Sequence, residues 1–165
     1  MTGDMTDGDR AGIAGEIAER IGGTALAHGL SVAVAESLTS GAIAAQLGAA
    51  ADSSVWFAGG VVAYAAETKF RVLNVDPGPV VNARCAVQMA KGCADLLGAD
   101  VVVAVTGVGG PDPEEGHRPG TVYVALSSSD GEVVDQHRFE GDPSEVVEHA
   151  TLAALEMLLT ALAKR

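Results

Sequence analysis

Aromatic residues make up only 4% of this 165-residue chain, although 48% of it is hydrophobic. Its core must therefore come mainly from Ala, Val and Leu, small side chains that let helices approach a sheet closely. Cations are also few. Ten Lys and Arg face 22 Asp and Glu, for a net charge of −12 and a pI near 4.5. No basic stripe exists to follow a phosphate backbone, so nucleic-acid binding is disfavoured. The two cysteines, Cys85 and Cys93, lie eight residues apart on a predicted helix. That is about 12 Å along its axis, too far for a disulfide. Neither a CxxC pair nor zinc spacing is present, and packing residues of a reducing compartment are expected. No uninterrupted apolar run approaches the roughly 20 residues of a membrane span. The first ten residues carry three Asp and no apolar signal region,. Residues 1–11 are expected to be a flexible leader, followed by a single domain over 12–165. The expected setting is cytoplasmic, with no membrane or nucleic-acid partner and self-association left open.

What the chain does contain is an alternation of helical and strand patterns. Helices are predicted over Gly12–His28, Thr39–Leu47, Ala65–Leu73, Asn82–Leu97 and Ser144–Ala163,. Gly98 and the Asp142-Pro143 pair mark boundaries,. Strands are predicted over Ser31–Glu36, Val55–Tyr64, Val101–Val105, Thr121–Ser127 and Glu132–Phe139. The β-branched run Val101–Val105 has the pattern of a strand buried on both faces. Asp130-Gly131 signals a hairpin between the last two strands. This order predicts an α/β fold, a three-layer α/β/α sandwich with a mixed, mostly parallel sheet of about five strands. Ligand sites in such sheets lie beyond the carboxyl ends of the strands. Two loops begin there, at Ser37-Leu38-Thr39 and at Thr106-Gly107-Val108-Gly109-Gly110-Pro111.

Ser37 sits where a strand turns toward a helix. Helix starts offer unpaired N–H groups and partial positive charge, the surroundings an oxyanion needs. Ser and Thr also cap helices routinely, so capping is the competing reading of Ser37 and Thr39. Serine needs a base, and none of the four histidines lies in a motif that demands imidazole. Lys69, five residues after Tyr64, is a candidate, because an apolar pocket favours the neutral amine. The competing reading is a surface lysine beside a half-buried tyrosine. Gly107, Gly109 and Gly110 allow close backbone approach to an anionic ligand, and Arg118 is a nearby cation. The loop is neither a P-loop nor G-x-G-x-x-G.

Taken together, Ala35-Glu36-Ser37 with Thr39 and Gly41, Gly59-Gly60-Val61-Val62 with Tyr64 and Lys69, Ala104-Val105-Thr106-Gly107 with Gly110-Pro111, Gly120-Thr121-Val122-Tyr123, and Phe139 with Gly141-Asp142 resemble the CinA C-terminal domain family. The resemblance runs from about Gly12 to the end of the sequence, and the order and spacing of its motifs are specific. It implies a nicotinamide mononucleotide deamidase, an amidohydrolase of pyridine-nucleotide recycling that needs no metal or other cofactor. By this resemblance Ser37 is the nucleophile, Lys69 its base and Tyr64 a proton-relay residue. Glu36, Thr39, Thr106, Gly107, Gly109, Gly110 and Arg118 are the residues expected around a small nucleotide substrate.

The chain departs from the family pattern at several positions. Leu38 and Ser40 replace a Cys and a Gly, and Ala65 and Ala66 replace a Ser and an Asn. The glycine loop continues Asp112-Pro113-Glu114-Glu115-Gly116, and Pro143 stands where the family carries Arg. A guanidinium binds phosphate bidentately and proline does not. Two readings therefore stand at the sequence level: an amidohydrolase, and a catalytically altered nucleotide-binding or regulatory module on the same fold.

Overall fold

The β-branched and alanine-rich runs form the strands of one sheet, seen in a computed structural model that describes residues 5–165. In chain order the elements are α1 (Asp7–His28), β1 (Val32–Glu36), α2 (Ala42–Ala49), α3 (Ser53–Trp56), β2 (Phe57–Val62), α4 (Ala66–Leu73), α5 (Ala83–Leu97), β3 (Val101–Gly107), β4 (Thr121–Ser128), β5 (Gly131–Arg138) and α6 (Pro143–Ala163). The strand order is β2-β1-β3-β4-β5. β1 pairs in parallel with β2 and β3, whereas β3–β4 and β4–β5 are antiparallel. The sheet is mixed: two pairings are parallel and two antiparallel, and β4 alone runs against the other four strands.

Side chains of adjacent strand residues point to opposite faces, so one sheet feeds two cores. Val32, Val34, Val103, Val105, Val122 and Val124 pack toward buried residues of α1, α2 and α6. Ala33, Ala35, Val102, Ala104 and Ala125 face Leu73 of α4 and Cys85, Met89, Ala90 and Cys93 of α5. Small residues on both sides bring this second layer very close. A Cβ at Gly92 of α5 would collide with the Leu73 carbonyl oxygen. A Cβ at Gly22 of α1 would lie 2.9 Å from the buried Trp56 ring. Both cysteines are free and buried.

Three boundaries differ from the sequence expectation. Helix α1 begins at Asp7, so residues 7–11 are helical rather than a leader; residues 1–4 lie outside the described residues. Thr6 and Asp9 form a reciprocal cap, and the buried Arg10 ties the helix to Glu148 of α6 at 2.6 Å. The polar, acidic composition there hides the helix from a search for apolar periodicity. The segment read as a strand from Val55 begins instead with the single turn of α3, and β2 starts at Phe57. Finally, α2 starts at Ala42 rather than Thr39, because Ser40 (φ 52°) and Gly41 (φ 102°) are left-handed and break the helix.

Helix α6 is long and apolar enough to cross a membrane, by length and composition, although the helix carries three glutamates. Its residues Val146, Ala150, Ala154, Leu155, Leu158 and Leu162 are buried in the core against the sheet and α1. Because β1, β2 and β3 run in parallel, their carboxyl ends open onto one edge. The turns after Glu36, Val62 and Gly107 converge there.

Candidate active site

Ser37 follows β1 directly, and its carbonyl accepts the Ser40 N–H at 3.0 Å in a tight turn. Lys69 projects from α4 into the same corner. Its Nζ lies 2.8 Å from Ser37 Oγ, 2.8 Å from the Ala63 carbonyl oxygen and 3.0 Å from the Tyr64 carbonyl oxygen. Lys69 is 1% exposed and Ser37 7%. The two carbonyls hold two amine protons and aim the remaining valence at the serine. As an ammonium, Lys69 donates to Ser37 Oγ; as a neutral amine, its lone pair accepts the Ser37 proton. Burial pushes the Lys69 pKa below its ordinary value, opposed by nearby Cys85 and by the carboxylates of Glu114 and Glu115,. Loss of the Lys69 proton is thus easier than for a solvated lysine, at the point where its amine meets the Ser37 hydroxyl.

Glu36 does not reach the site. It is fully buried, and its carboxylate oxygens accept the N–H groups of Ile43 and Ala44, each at 3.0 Å. The side chain caps α2 in place of Gly41, which has none to offer, so its expected contact with substrate is not made. The capping reading of Ser37 also falls, since the cap belongs to its neighbour. Thr39 is buried behind the turn with its hydroxyl unpartnered, and it does not line the cavity. Tyr64 does line it, but its side chain is largely exposed and meets Lys69 only through the backbone carbonyl.

A cavity of about 390 Å³ opens over Ser37 and Lys69. Thr106, Gly107, Gly109 and Gly110 all line it. The Thr106 hydroxyl donates to the Val80 carbonyl at 2.7 Å and so braces the opposite wall. Gly107 belongs to β3 rather than to the free loop. It pairs with Val122, and a Cβ there would sit 2.5 Å from the Thr121 carbonyl oxygen. Arg118 is exposed and is not part of the wall.

Pro143, Asp112 and Glu114, met in the sequence as departures from the family pattern, also line the cavity, together with Val80, Val81 and Val147, which nothing in the sequence singled out. Glu115, left-handed at φ 50°, accepts the N–H of Val80 at 2.6 Å and of Val81 at 2.8 Å. The glycine loop is thereby clamped to the segment before α5. The acidic run was visible in the sequence, but nothing local told which carboxylate would face the cavity.

Known proteins share both sequence and architecture with this chain. A CinA-like protein of Frankia casuarinae is 38% identical over 138 residues, 81% of this chain and 32% of that protein. A CinA-like protein of Geobacter sulfurreducens is 39% identical over 136 residues, 79% of this chain and 33% of that protein. The chain spans about a third of the length of these curated relatives. A competence-damaged protein (CinA) superfamily structure from Klebsiella pneumoniae superposes with a TM-score of 0.88 at 33% identity, covering 92% of this chain and 99% of that one. One from Escherichia coli gives 0.88 at 29% identity, covering 96% and 94%. Residues 14–162 match the family model of the CinA C-terminal domain, and the chain belongs to that family.

Proposed function

We propose that this domain is an amidohydrolase with Ser37 as nucleophile and Lys69 as its base. The observation that carries the reading is the 2.8 Å contact between a desolvated lysine amine and a serine hydroxyl at the floor of a cavity. Neutral Lys69 takes the Ser37 proton as Oγ bonds to the carboxamide carbon. The carbonyl oxygen becomes an oxyanion, for which the Leu38 N–H, next in the chain to Ser37 and part of a residue lining the cavity, is the proposed backbone donor,. The Lys69 ammonium then protonates the leaving nitrogen, the C–N bond breaks and ammonia departs. Water attacks the acyl-serine with Lys69 again as base, releasing the carboxylate and restoring Ser37. Throughout, the carbonyls of Ala63 and Tyr64 keep the amine aimed.

The substrate implied by family resemblance is nicotinamide mononucleotide, which would yield nicotinate mononucleotide. Ammonia release from a panel of pyridine nucleotides and simple carboxamides tests the reaction. Ser37→Ala should abolish release while the fold and thermal midpoint persist, since Ser37 caps no helix. Undiminished turnover by that variant would remove Ser37 from the chemistry and leave a binding module as the better reading.

A further inference from the structure

The outer edge of β5 carries an unused row of backbone hydrogen-bonding groups. We propose that β5 of a second copy of this chain closes it, antiparallel, across a twofold axis. β5 is the last strand of the sheet. It pairs with β4 without a register shift, from Thr121 opposite Arg138 to Ser128 opposite Gly131. A two-residue turn joins Ser128 to Gly131, so that pair is hydrogen-bonded. At the other end the Phe139 N–H reaches the Gly120 carbonyl at 2.9 Å. Odd-numbered residues of β5 therefore bond inward, and Glu132, Val134, Gln136 and Arg138 aim their N–H and C=O groups outward. Among the described residues no strand pairs with them.

Natural sheet edges are usually blunted by a bulge, a proline, a lysine or short length. The opposite edge follows that rule: β2 shifts register against β1 and carries Gly59 at φ 126°. β5 runs for 8 residues with no proline, lysine or bulge. Val133, near its middle, is 55% exposed, and Val134 is exposed as well. Helices α5 and α6 pack chiefly on β3 and β4. A groove of about 320 Å³ is left between β5 and α6, lined by Val133, Asp135 and His137.

The charges of the strand point to its own copy as the occupant. In an antiparallel pair centred on Asp135, Glu132 faces Arg138 of the second copy and Val134 faces Gln136, each twice. All four outward residues of each copy are then bonded. Opposite residues share a face, so two ion pairs form on the α5 side, where Lys91 already stands 3.7 Å from Glu132. One strand supplies both charges at equal distances from its centre, so the edge is complementary to itself. On the α6 side Val133 meets His137, and Asp135 meets its own copy in the one repulsive contact. A slip of two residues either way breaks both Glu132–Arg138 pairs and leaves one outward residue of each copy without a partner in the strand.

Sedimentation of the full chain over a range of concentrations tests the proposal. The wild type should dimerise reversibly. Glu132→Arg and Arg138→Glu each set like charges opposite one another and should raise the dissociation constant at least about tenfold, and the double variant should recover most of that loss. Asp135→Asn should tighten the dimer severalfold by removing the repulsion on the axis. All three side chains are exposed, so thermal midpoints at dilutions where every variant is monomeric should agree. A wild type that stays monomeric up to millimolar concentration leaves the edge to another protein's strand and overturns the proposal. A dimer that neither reversal weakens, a double variant as weak as the single ones, or a weaker Asp135→Asn dimer overturns it too.

Discussion

Lys69 Nζ and Ser37 Oγ lie 2.8 Å apart although 32 residues of chain separate them. The contact is made because β1 and β2 are parallel neighbours whose carboxyl ends meet. Ser37 leaves the first strand, and α4 begins four residues beyond the second. Ala63 is anchored by its N–H to the Glu36 carbonyl at 2.8 Å, and its own carbonyl accepts from Lys69 at 2.8 Å. The backbone that positions Ser37 therefore also positions Lys69.

Activity should rise with pH through a group titrating below the ordinary lysine value of about 10.4 and then level off. With Lys69 as the proposed base, the deprotonated amine is the form expected to be active, and desolvation lowers its pKa. Lys69→Met should remove turnover. In the unfolded chain the lysine regains its ordinary pKa, so it holds a proton across the window where the folded amine has lost it. The lysine's contribution to stability therefore rises with pH in that window. Thermal midpoints of the wild type and Lys69→Met should converge as pH rises through it. A rate that falls with pH over the same range would exclude Lys69 as base.

Glu36→Gln should destabilise the domain by about 1–3 kcal/mol, because the amide retains one acceptor oxygen and sets an NH₂ against a buried N–H. The turnover rate should drop as well, since the same cap fixes the turn that carries Ser37. The denaturant midpoint should fall with an unchanged slope. A midpoint equal to that of the wild type would show that the carboxylate contributes nothing to holding α2.

Two helical glycines should respond oppositely to alanine. At Gly92 a Cβ meets the Leu73 carbonyl, and Leu73 ends the helix bearing Lys69. Gly92→Ala should cost about 1–3 kcal/mol through overpacking and reduce activity by shifting α4. Gly23 has nothing within 4 Å of its Cβ direction, so Gly23→Ala should stabilise α1 by up to about 1 kcal/mol. Chemical denaturation of both variants checks the pair. Equal effects would mean that the α4–α5 approach is not tight.

Much of this architecture is carried by local pattern. The β-branched run from Val101 became the central β3 because such side chains suit a pleated strand buried on both faces,. Gly29 and Gly98 end helices in the left-handed region, where a Cβ is disfavoured,. Tertiary contacts set the boundaries that the pattern missed. The acidic start of α1 is held by the Arg10–Glu148 ion pair to a helix at the far end of the chain. The start of α2 is set by two left-handed residues and a carboxylate arriving from β1.

The sequence by itself determined the layered α/β fold and the candidate pair Ser37 and Lys69, through strand ends, helix caps and motif order. Those features depend on residues near one another in the chain, where periodicity and backbone preference act. Only the tertiary structure decided that Glu36 serves a helix, that Tyr64 meets Lys69 through its carbonyl, and that Arg118 stays outside the wall. It also decided that Asp112 and Glu114 enter the wall while Glu115 clamps Val80 and Val81. The reason is geometric: which polar groups converge on a cavity is set by packing between distant segments, and a carboxylate's role depends on which N–H groups that packing brings within reach.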